Sequence, residues 1–193
     1  DATVSIIDLI ALQEVDALPG NKPPFGPDPL DRILLPDYTR PYQIALDPAN
    51  NYAYVGDHDV GAVYVIDINP KSPTYHKHVH TVTLPFGSAE HGLRGLVVGE
   101  DGKRLYVAAT NADLVGNPRN NSAEFSSVFV INVDPADRPV NIADNPNRYW
   151  QVIEQISMEE PGKAGGGQDT YALVRTGDPK RIAFTNRQFD SAG

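Results

Sequence analysis

Two short segments of this 193-residue chain contain the residue types that bind anions or move protons. One is the run 90–94, with Glu90, His91 and Arg94, and the other is Asp-His-Asp at 57–59. A guanidinium binds anions through charge-assisted hydrogen bonds, and an imidazole near a carboxylate can act as a general acid or base. The candidate catalytic residues are therefore Glu90, His91 and Arg94. The candidate ligand-binding residues are Arg40, Tyr42, Asp57, His58, His91 and Arg94.

Three histidines alternate along a strand-like run, at His76, His78 and His80. Alternate side chains of a strand share one face, so these imidazoles would project together as ligands for zinc, copper or nickel. The same parity continues to Val82 and Leu84, which is typical of a buried face. In that case His80 is a half-buried packing residue and His76 is solvated. The sequence predicts no other cofactor, and a divalent metal at this row stays an open alternative.

Composition narrows the classes of protein. The chain has 16 Lys and Arg against 25 Asp and Glu, a formal net charge of −9, and 40% apolar residues. This apolar content predicts a folded core, and the negative charge disfavours nucleic acid as a partner. With no cysteine, disulfides, thiolate zinc sites and cysteine nucleophiles are excluded. No apolar run approaches the ~18 residues of a membrane helix, so we predict no membrane span.

Short β-type runs recur along the chain. VYVIDI (63–68) and VFVINV (128–133) are near copies, and VSIIDL (4–9) is a third. Ahead of the first two stand YAYVG (52–56) and RLYVA (104–108), each preceded by another strand-like run and a tight turn. A fainter unit of the same kind lies at 171–185. Units of about 40–50 residues with unequal inserts, each a four-strand meander, are the signature of β-propeller blades.

The residues of these units resemble the YVTN repeat family of secreted and surface propellers, which is part of the lactonase-like propeller superfamily. The resemblance is carried by Phe86-Gly87, His91-Gly92, the run 101–107 and the run 128–132, and it covers most of 40–135. It implies an all-β propeller of four-stranded antiparallel blades. It also implies a secreted, periplasmic or cell-surface location.

With strands labelled A (innermost) to D (outermost), residues 1–193 form a single propeller region of about three blades. Residues 1–18 are a C–D half blade, 40–84 and 93–156 are blades, and 171–186 are an A–B half blade. A propeller closes with about 4–8 blades, so this chain cannot close a ring alone. The remaining blades come either from a longer chain, which we favour because Asp1 already lies in a strand-like run, or from a second copy.

Long connections gather at one predicted end of the blades. The segments 19–41, 112–126 and 159–170 fall there, although the long connection 134–148 falls at the other end. Arg40, Tyr42 and the run 90–94 enter innermost strands at that same end, with Asp57 and His58 above them. Insertions on one face often mark a binding face. Alternatively, Arg94 and His91 make hydrogen bonds between blades, and Asp57 serves a turn.

Two functions follow as expectations. The first is a non-enzymatic binding or scaffold module that presents its loop-rich face to a protein or glycan partner. The second is part of a propeller enzyme, either a lactonase-like hydrolase or a propeller subunit of a periplasmic oxidoreductase. Such an enzyme would act on an anionic small molecule at the central channel. No residue of this chain aligns with a known catalytic set, and this fold hosts unrelated activities.

Overall fold

The computed structural model describes residues 2–17, 31–49, 51–59, 61–85, 93–110, 126–141, 144–157 and 168–188. Within these ranges all regular structure is β-strand, apart from one 3₁₀ turn at Pro135–Asp137. The predicted all-β class is therefore confirmed. No helix in the described part of the chain is long and apolar enough to cross a membrane.

The N-terminal strands are short. They are β1 (Thr3–Val4), β2 (Ile6–Asp8), β3 (Gln13–Val15) and β4 (Ile33–Leu34). β2 and β3 form an antiparallel hairpin in which Ile6 lies opposite Val15. β1 pairs with β4, so a strand lies inside the segment 19–41 that the sequence predicted to be a connection. The Pro-rich composition of that segment concealed the strand.

Four strands form the first large sheet. They are β5 (Pro41–Leu46), β6 (Tyr52–Asp57), β7 (Ala62–Asp67) and β8 (Lys77–Thr83), antiparallel neighbours in chain order. The turn from β5 to β6 is tight because the Asp47 carboxylate accepts the N–H of Ala49 at 2.7 Å. Every residue of β7 is buried, so both faces of the sheet are covered there.

The second large sheet repeats this meander. Its strands are β9 (Leu93–Val98), β10 (Arg104–Thr110), β11 (Ser126–Asn132) and β12 (Val152–Ser157). In the β9–β10 turn Gly102 has φ +69°, a conformation that glycine adopts without the cost of a side chain. The prediction of four-stranded antiparallel sheets is thus confirmed twice. A last hairpin pairs β13 (Gln168–Arg175) with β14 (Ile182–Gln188).

The sheets stack face to face in chain order. β9 contacts both β5 and β13, so the first strands of three successive layers lie side by side. One apolar core, with Val63, Leu96 and Phe129, fills the space between the two large sheets. A second core joins the first sheet to the N-terminal strands, and a third joins the second sheet to the last hairpin. Three layers of side chains therefore hold four layers of strands.

The two ends of the stack are covered in complementary ways. The N-terminal strands bury Val55 and Tyr64 of the first sheet but leave Tyr42, Ile44 and Leu46 of β5 about half exposed. At the other end the β13–β14 hairpin packs on β9 and β10 of the second sheet, while Ile156 of β12 stays exposed. Among the described residues, one end of the stack thus leaves the first strand of its sheet uncovered and the other end leaves the last strand uncovered.

The two large sheets approach each other closely at Gly56. A Cβ atom at this position would lie 2.6 Å from the Leu96 Cδ1 atom, and Leu96 is itself buried. The neighbouring amide of Leu96 donates to the Gln43 side-chain oxygen at 2.9 Å. Gly56 thus lets β9 reach the first sheet and sets where the second sheet begins.

We predict that Gly56→Ala lowers the free energy of unfolding by about 1–3 kcal/mol, because the new methyl overpacks a full core. Leu96→Val removes the Cδ1 atom that the methyl would meet. Urea denaturation of the wild type, the two single variants and the double variant measures the coupling. The double variant should lose less unfolding free energy than the two single variants lose in sum. Additive effects would contradict direct contact between the two positions.

Candidate functional site

The predicted ligand-binding residues that the structure describes lie at one end of β5, β6 and β9. Arg40 immediately precedes β5, Asp57 ends β6, and Arg94 is the second residue of β9. The start of β5 pairs with the end of β6, Pro41 lying opposite Asp57. Since β9 begins against Gly56, it brings Arg94 to the same end.

Asp57 is the centre of this arrangement, and its side chain is 0% exposed. Its carboxylate accepts the backbone N–H of Arg40 at 3.0 Å and the N–H of Asp59 at 2.7 Å. The hydroxyl of Tyr64 donates to it at 3.1 Å. A buried ionised carboxylate requires such donors. Asp57 therefore positions its neighbours from a buried site.

Burial raises the pKa of Tyr64 far above its ordinary value, and the adjacent Asp57 carboxylate raises it further. The phenol consequently stays protonated and remains a permanent donor to Asp57. Asp57 thus joins the segments around 40 and 58 into a corner. The backbone completes this corner, because the His58 N–H donates to the Arg40 carbonyl oxygen at 2.9 Å. The segments around 40 and 58 are thus fixed to each other by both side chain and backbone.

Asp59 forms an outer layer of contacts. Its carboxylate lies 2.7 Å from His58 Nδ1 and 3.1 Å from Arg40 Nε. An ionised carboxylate only accepts hydrogen bonds, so His58 carries a proton on Nδ1, and in the neutral imidazole Nε2 is then an acceptor. The Arg40 side chain is 73% exposed and that of His58 is 28% exposed. Both are within reach of a ligand.

Tyr42 connects the first sheet to the second at this end. Its ring centroid is 5.4 Å from that of His58, and the Arg94 guanidinium carbon lies 5.5 Å from the centroid of Tyr42. The structure therefore brings Arg40, Tyr42, His58 and Arg94 together. Glu90 and His91 lie outside the described residues.

The charges of this cluster balance. Two guanidiniums, of Arg40 and Arg94, stand near two carboxylates, of Asp57 and Asp59. An anion that pairs with Arg40 has to compete with Asp59, whose oxygen is already 3.1 Å away. The site offers donors, acceptors and an aromatic edge without a strong field of either sign. Such a site is suited to a ligand with both donors and acceptors.

The structure separates the three histidines proposed as metal ligands. Between Val65 and Ile66 the register with β8 shifts, so that His80 lies opposite Val65 and His78 lies opposite Ile66. Neighbouring residues of β7 face opposite sides of the sheet, and a β-bulge therefore sends His78 and His80 to opposite sides as well. Among the described residues no three potential ligands gather to hold a metal.

Each histidine has its own partner instead. The His76 ring donates from Nδ1 to the Ala17 carbonyl oxygen at 2.6 Å and stacks on Tyr75. The prediction that His76 is solvated is therefore corrected, because the N-terminal layer reaches this ring. His80 stacks on Trp150 with a centroid distance of 5.1 Å, and burial lowers the pKa of its imidazole. This half-buried packing role was predicted.

A further residue of this end, Tyr38, was not predicted from the sequence. Its side chain is 98% exposed and its backbone has φ +65°, which is uncommon for a bulky residue. Residues 37–41, together with Ala2 and Thr3, line a cleft of about 860 Å³. The Thr39 hydroxyl in this lining is buried without a hydrogen-bond partner among the described residues. The Pro36-Asp37 pair is a turn signal that would have marked the segment.

No protein-family model matches the chain, and no curated protein is similar to it in sequence. The candidate site accordingly rests on its own geometry.

We predict that Asp57→Ala lowers the free energy of unfolding by about 2–4 kcal/mol, because two backbone N–H groups and the Tyr64 hydroxyl lose a buried acceptor. Asp59→Ala is the matched control, since it removes an exposed ion pair and should cost less than about 1 kcal/mol. Urea denaturation followed by circular dichroism measures both. Equal losses would show that Asp57 does not hold the corner together.

Proposed function

We propose that this chain is a segment of a β-propeller that acts as a non-enzymatic recognition module. Three features support the propeller: the stacked antiparallel meanders, the side-by-side inner strands β5, β9 and β13, and the resemblance to YVTN repeats. The same resemblance supports a secreted, periplasmic or cell-surface location. The module presents its loop-rich end to a protein or glycan partner.

The observation that carries the recognition function is the grouping of Arg40, Tyr42, His58 and Arg94. These side chains come from the entrance of β5, the exit of β6 and the entrance of β9. They lie at the sheet end where Thr110 of β10 pairs with Ser126 of β11, on either side of the connection 111–125. Leu93, at the start of β9, lies at this same end. Charged and aromatic side chains held rigidly beside long loops are typical of a binding face.

We expect the wild-type chain to bind a defined class of probe when arrays of glycans and of extracellular proteins are screened. The double variant Tyr42→Ala and Arg94→Ala should bind the same probe about tenfold more weakly or worse, as expected when an aromatic and an Arg contact are lost. Biolayer interferometry on the selected probe measures the change.

The matched control is Lys71→Ala, an exposed residue between β7 and β8 at the opposite end of the sheet. This variant should bind as the wild type does. If Lys71→Ala weakens binding and the Tyr42 and Arg94 double variant does not, the binding face is at the other end.

One observation favours a second candidate function, that of a propeller hydrolase. With Nδ1 held 2.7 Å from Asp59, the Nε2 atom of His58 is an acceptor that can serve as a general base toward water. In this alternative Arg40 and Arg94 would bind the anionic group of a substrate such as a charged lactone. Lactone hydrolysis by the wild type that His58→Ala abolishes would replace the recognition function with this one.

The open ends of the stack bear on how the propeller is completed. Among the described strands, the hairpin β2–β3 is a pair without inner partners, whereas β13–β14 is a pair without outer ones. The half-exposed Ile44 and Leu46 of β5 and the exposed Ile156 of β12 lie where further strands would pack. The added strands belong to further blades of a longer chain or to a second copy, which would give a six-bladed ring.

We predict that this chain alone does not behave as a compact monomer in solution. Two copies that complete each other should give twice the 21.0 kDa chain mass in light scattering, unchanged on dilution. Leu46→Glu would place a charge in that contact and return the monomer mass. A stable, compact monomer with the wild-type sequence would contradict completion by a second copy. Completion by further blades of a longer chain would then be the remaining explanation.

A further inference from the structure

The cleft beside Tyr38 lies next to the cluster and extends its surface. Residues 37–41 line it, and Arg40 belongs to both the cleft and the cluster. Its volume of about 860 Å³ is within the range of pockets that bind small molecules, roughly 300–1,000 Å³. The Tyr38 ring stands almost wholly in solvent, with 98% of its surface exposed.

The backbone of Tyr38 adopts a conformation that is uncommon for a bulky residue. At φ +65° a bulky residue is strained, and glycine or asparagine would adopt the conformation at lower cost. A tyrosine there neither packs in the core nor eases the turn. Strained, exposed residues of this kind occur disproportionately where a ligand is bound.

The polar groups of the cleft are of mixed kind. Arg40 offers donors from its exposed guanidinium, Asp37 offers an acceptor, and the Thr39 hydroxyl is buried without a hydrogen-bond partner in the described part of the chain. A ligand hydroxyl both donates and accepts, so it can pair with the exposed Arg40 guanidinium and with the exposed Asp37 carboxylate. The Thr39 hydroxyl has almost no solvent-accessible surface, so a ligand in the cleft does not reach it.

The charges around the cleft distinguish between anionic and uncharged ligands. Arg40 is already paired with Asp59 at 3.1 Å, Asp37 adds a further negative charge to the lining, and the whole chain carries −9. An anionic ligand would lie beside the Asp37 carboxylate and would have to displace Asp59 from Arg40. An uncharged ligand with many hydroxyls meets neither obstacle, and its apolar face can pack on the Tyr38 ring.

From these observations we propose that the cleft is a subsite for an uncharged saccharide, with Tyr38 as the platform on which one sugar ring packs. Arg40 and Asp37 then hydrogen-bond to the sugar hydroxyls. This proposal rests on the proposed recognition function, because it names the ligand class of the same loop-rich end. It adds Asp37 and Tyr38, which lie outside the cluster of Arg40, Tyr42, His58 and Arg94.

The test titrates the full chain with neutral hexasaccharides built from glucose, mannose, xylose or N-acetylglucosamine, followed by isothermal calorimetry. Hexagalacturonate and hexaglutamate serve as acidic probes. At least one neutral hexasaccharide should bind with a dissociation constant of about 1 mM or tighter, and the acidic probes should bind at least about tenfold more weakly.

Three variants tie the binding to the cleft. Tyr38→Gly should leave the Tm unchanged or raise it, because glycine relieves the strained φ, yet it should weaken saccharide binding about tenfold or more. Asp37→Ala should keep the Tm and weaken binding by a smaller factor, since the carboxylate is exposed and lines the cleft. Val140→Ala, at an exposed site remote in sequence from the cleft, should change neither.

Each contrary result is distinct. Binding of the acidic probes alone, lost in Arg94→Ala, would overturn the ligand class while the recognition function stands. Neutral saccharide binding that Tyr38→Gly leaves unchanged would overturn the cleft as the subsite. If no saccharide binds while a protein partner does, the subsite is refuted and the recognition function survives. If neither kind of partner binds, both proposals fail.

Discussion

One buried carboxylate holds the candidate site in its observed geometry. Asp57 accepts hydrogen bonds from the backbone at 40 and 59 and from the Tyr64 hydroxyl, so the entrance of β5, the exit of β6 and the middle of the sheet meet at one group. A buried charge without such donors would destabilise the fold strongly. The donors and the carboxylate therefore have to be present together, and the exposed contacts of Arg40, His58 and Asp59 follow from that corner.

The second constraint is the close approach of the two large sheets. The site needs Arg94 from β9 beside Tyr42 from β5, and that neighbourhood exists only because Gly56 leaves space for Leu96. The Leu96 amide then finds its acceptor on Gln43. Core packing and the site are thus linked, since a larger residue at position 56 would push apart the strands that supply both halves of the cluster.

Much of this architecture was predicted from the sequence, since alternating β-branched runs and tight turns report local structure. The grouping of Arg40, Tyr42, His58 and Arg94 was predicted too, because each lies where a strand begins or ends. Asp57 and Asp59 show what could not be predicted from the sequence. They are the same residue type two positions apart, yet one is buried and the other is exposed. Only the tertiary structure decides which carboxylate is buried and positions its neighbours and which faces solvent.

The other differences have equally physical causes. A bulge of one residue between His78 and His80 breaks a two-residue period, and no residue type in that run signals it. The left-handed conformation of Tyr38 contradicts the local preference of tyrosine, so a propensity-based prediction would place it in an ordinary turn. β4 lies within a Pro-rich segment and is only two residues long, too short for a periodic pattern to form.

The role of Asp59 connects the two candidate functions. The same carboxylate that orients His58 for acid–base chemistry also neutralises Arg40, the exposed cation that would attract an anionic substrate. A substrate anion that paired with Arg40 would displace one of the two partners of Asp59. Substrate binding would therefore disturb the same carboxylate that orients the imidazole. Recognition of an uncharged ligand leaves both contacts in place. The proposed recognition function is therefore the one that requires no change in the contacts of Asp59.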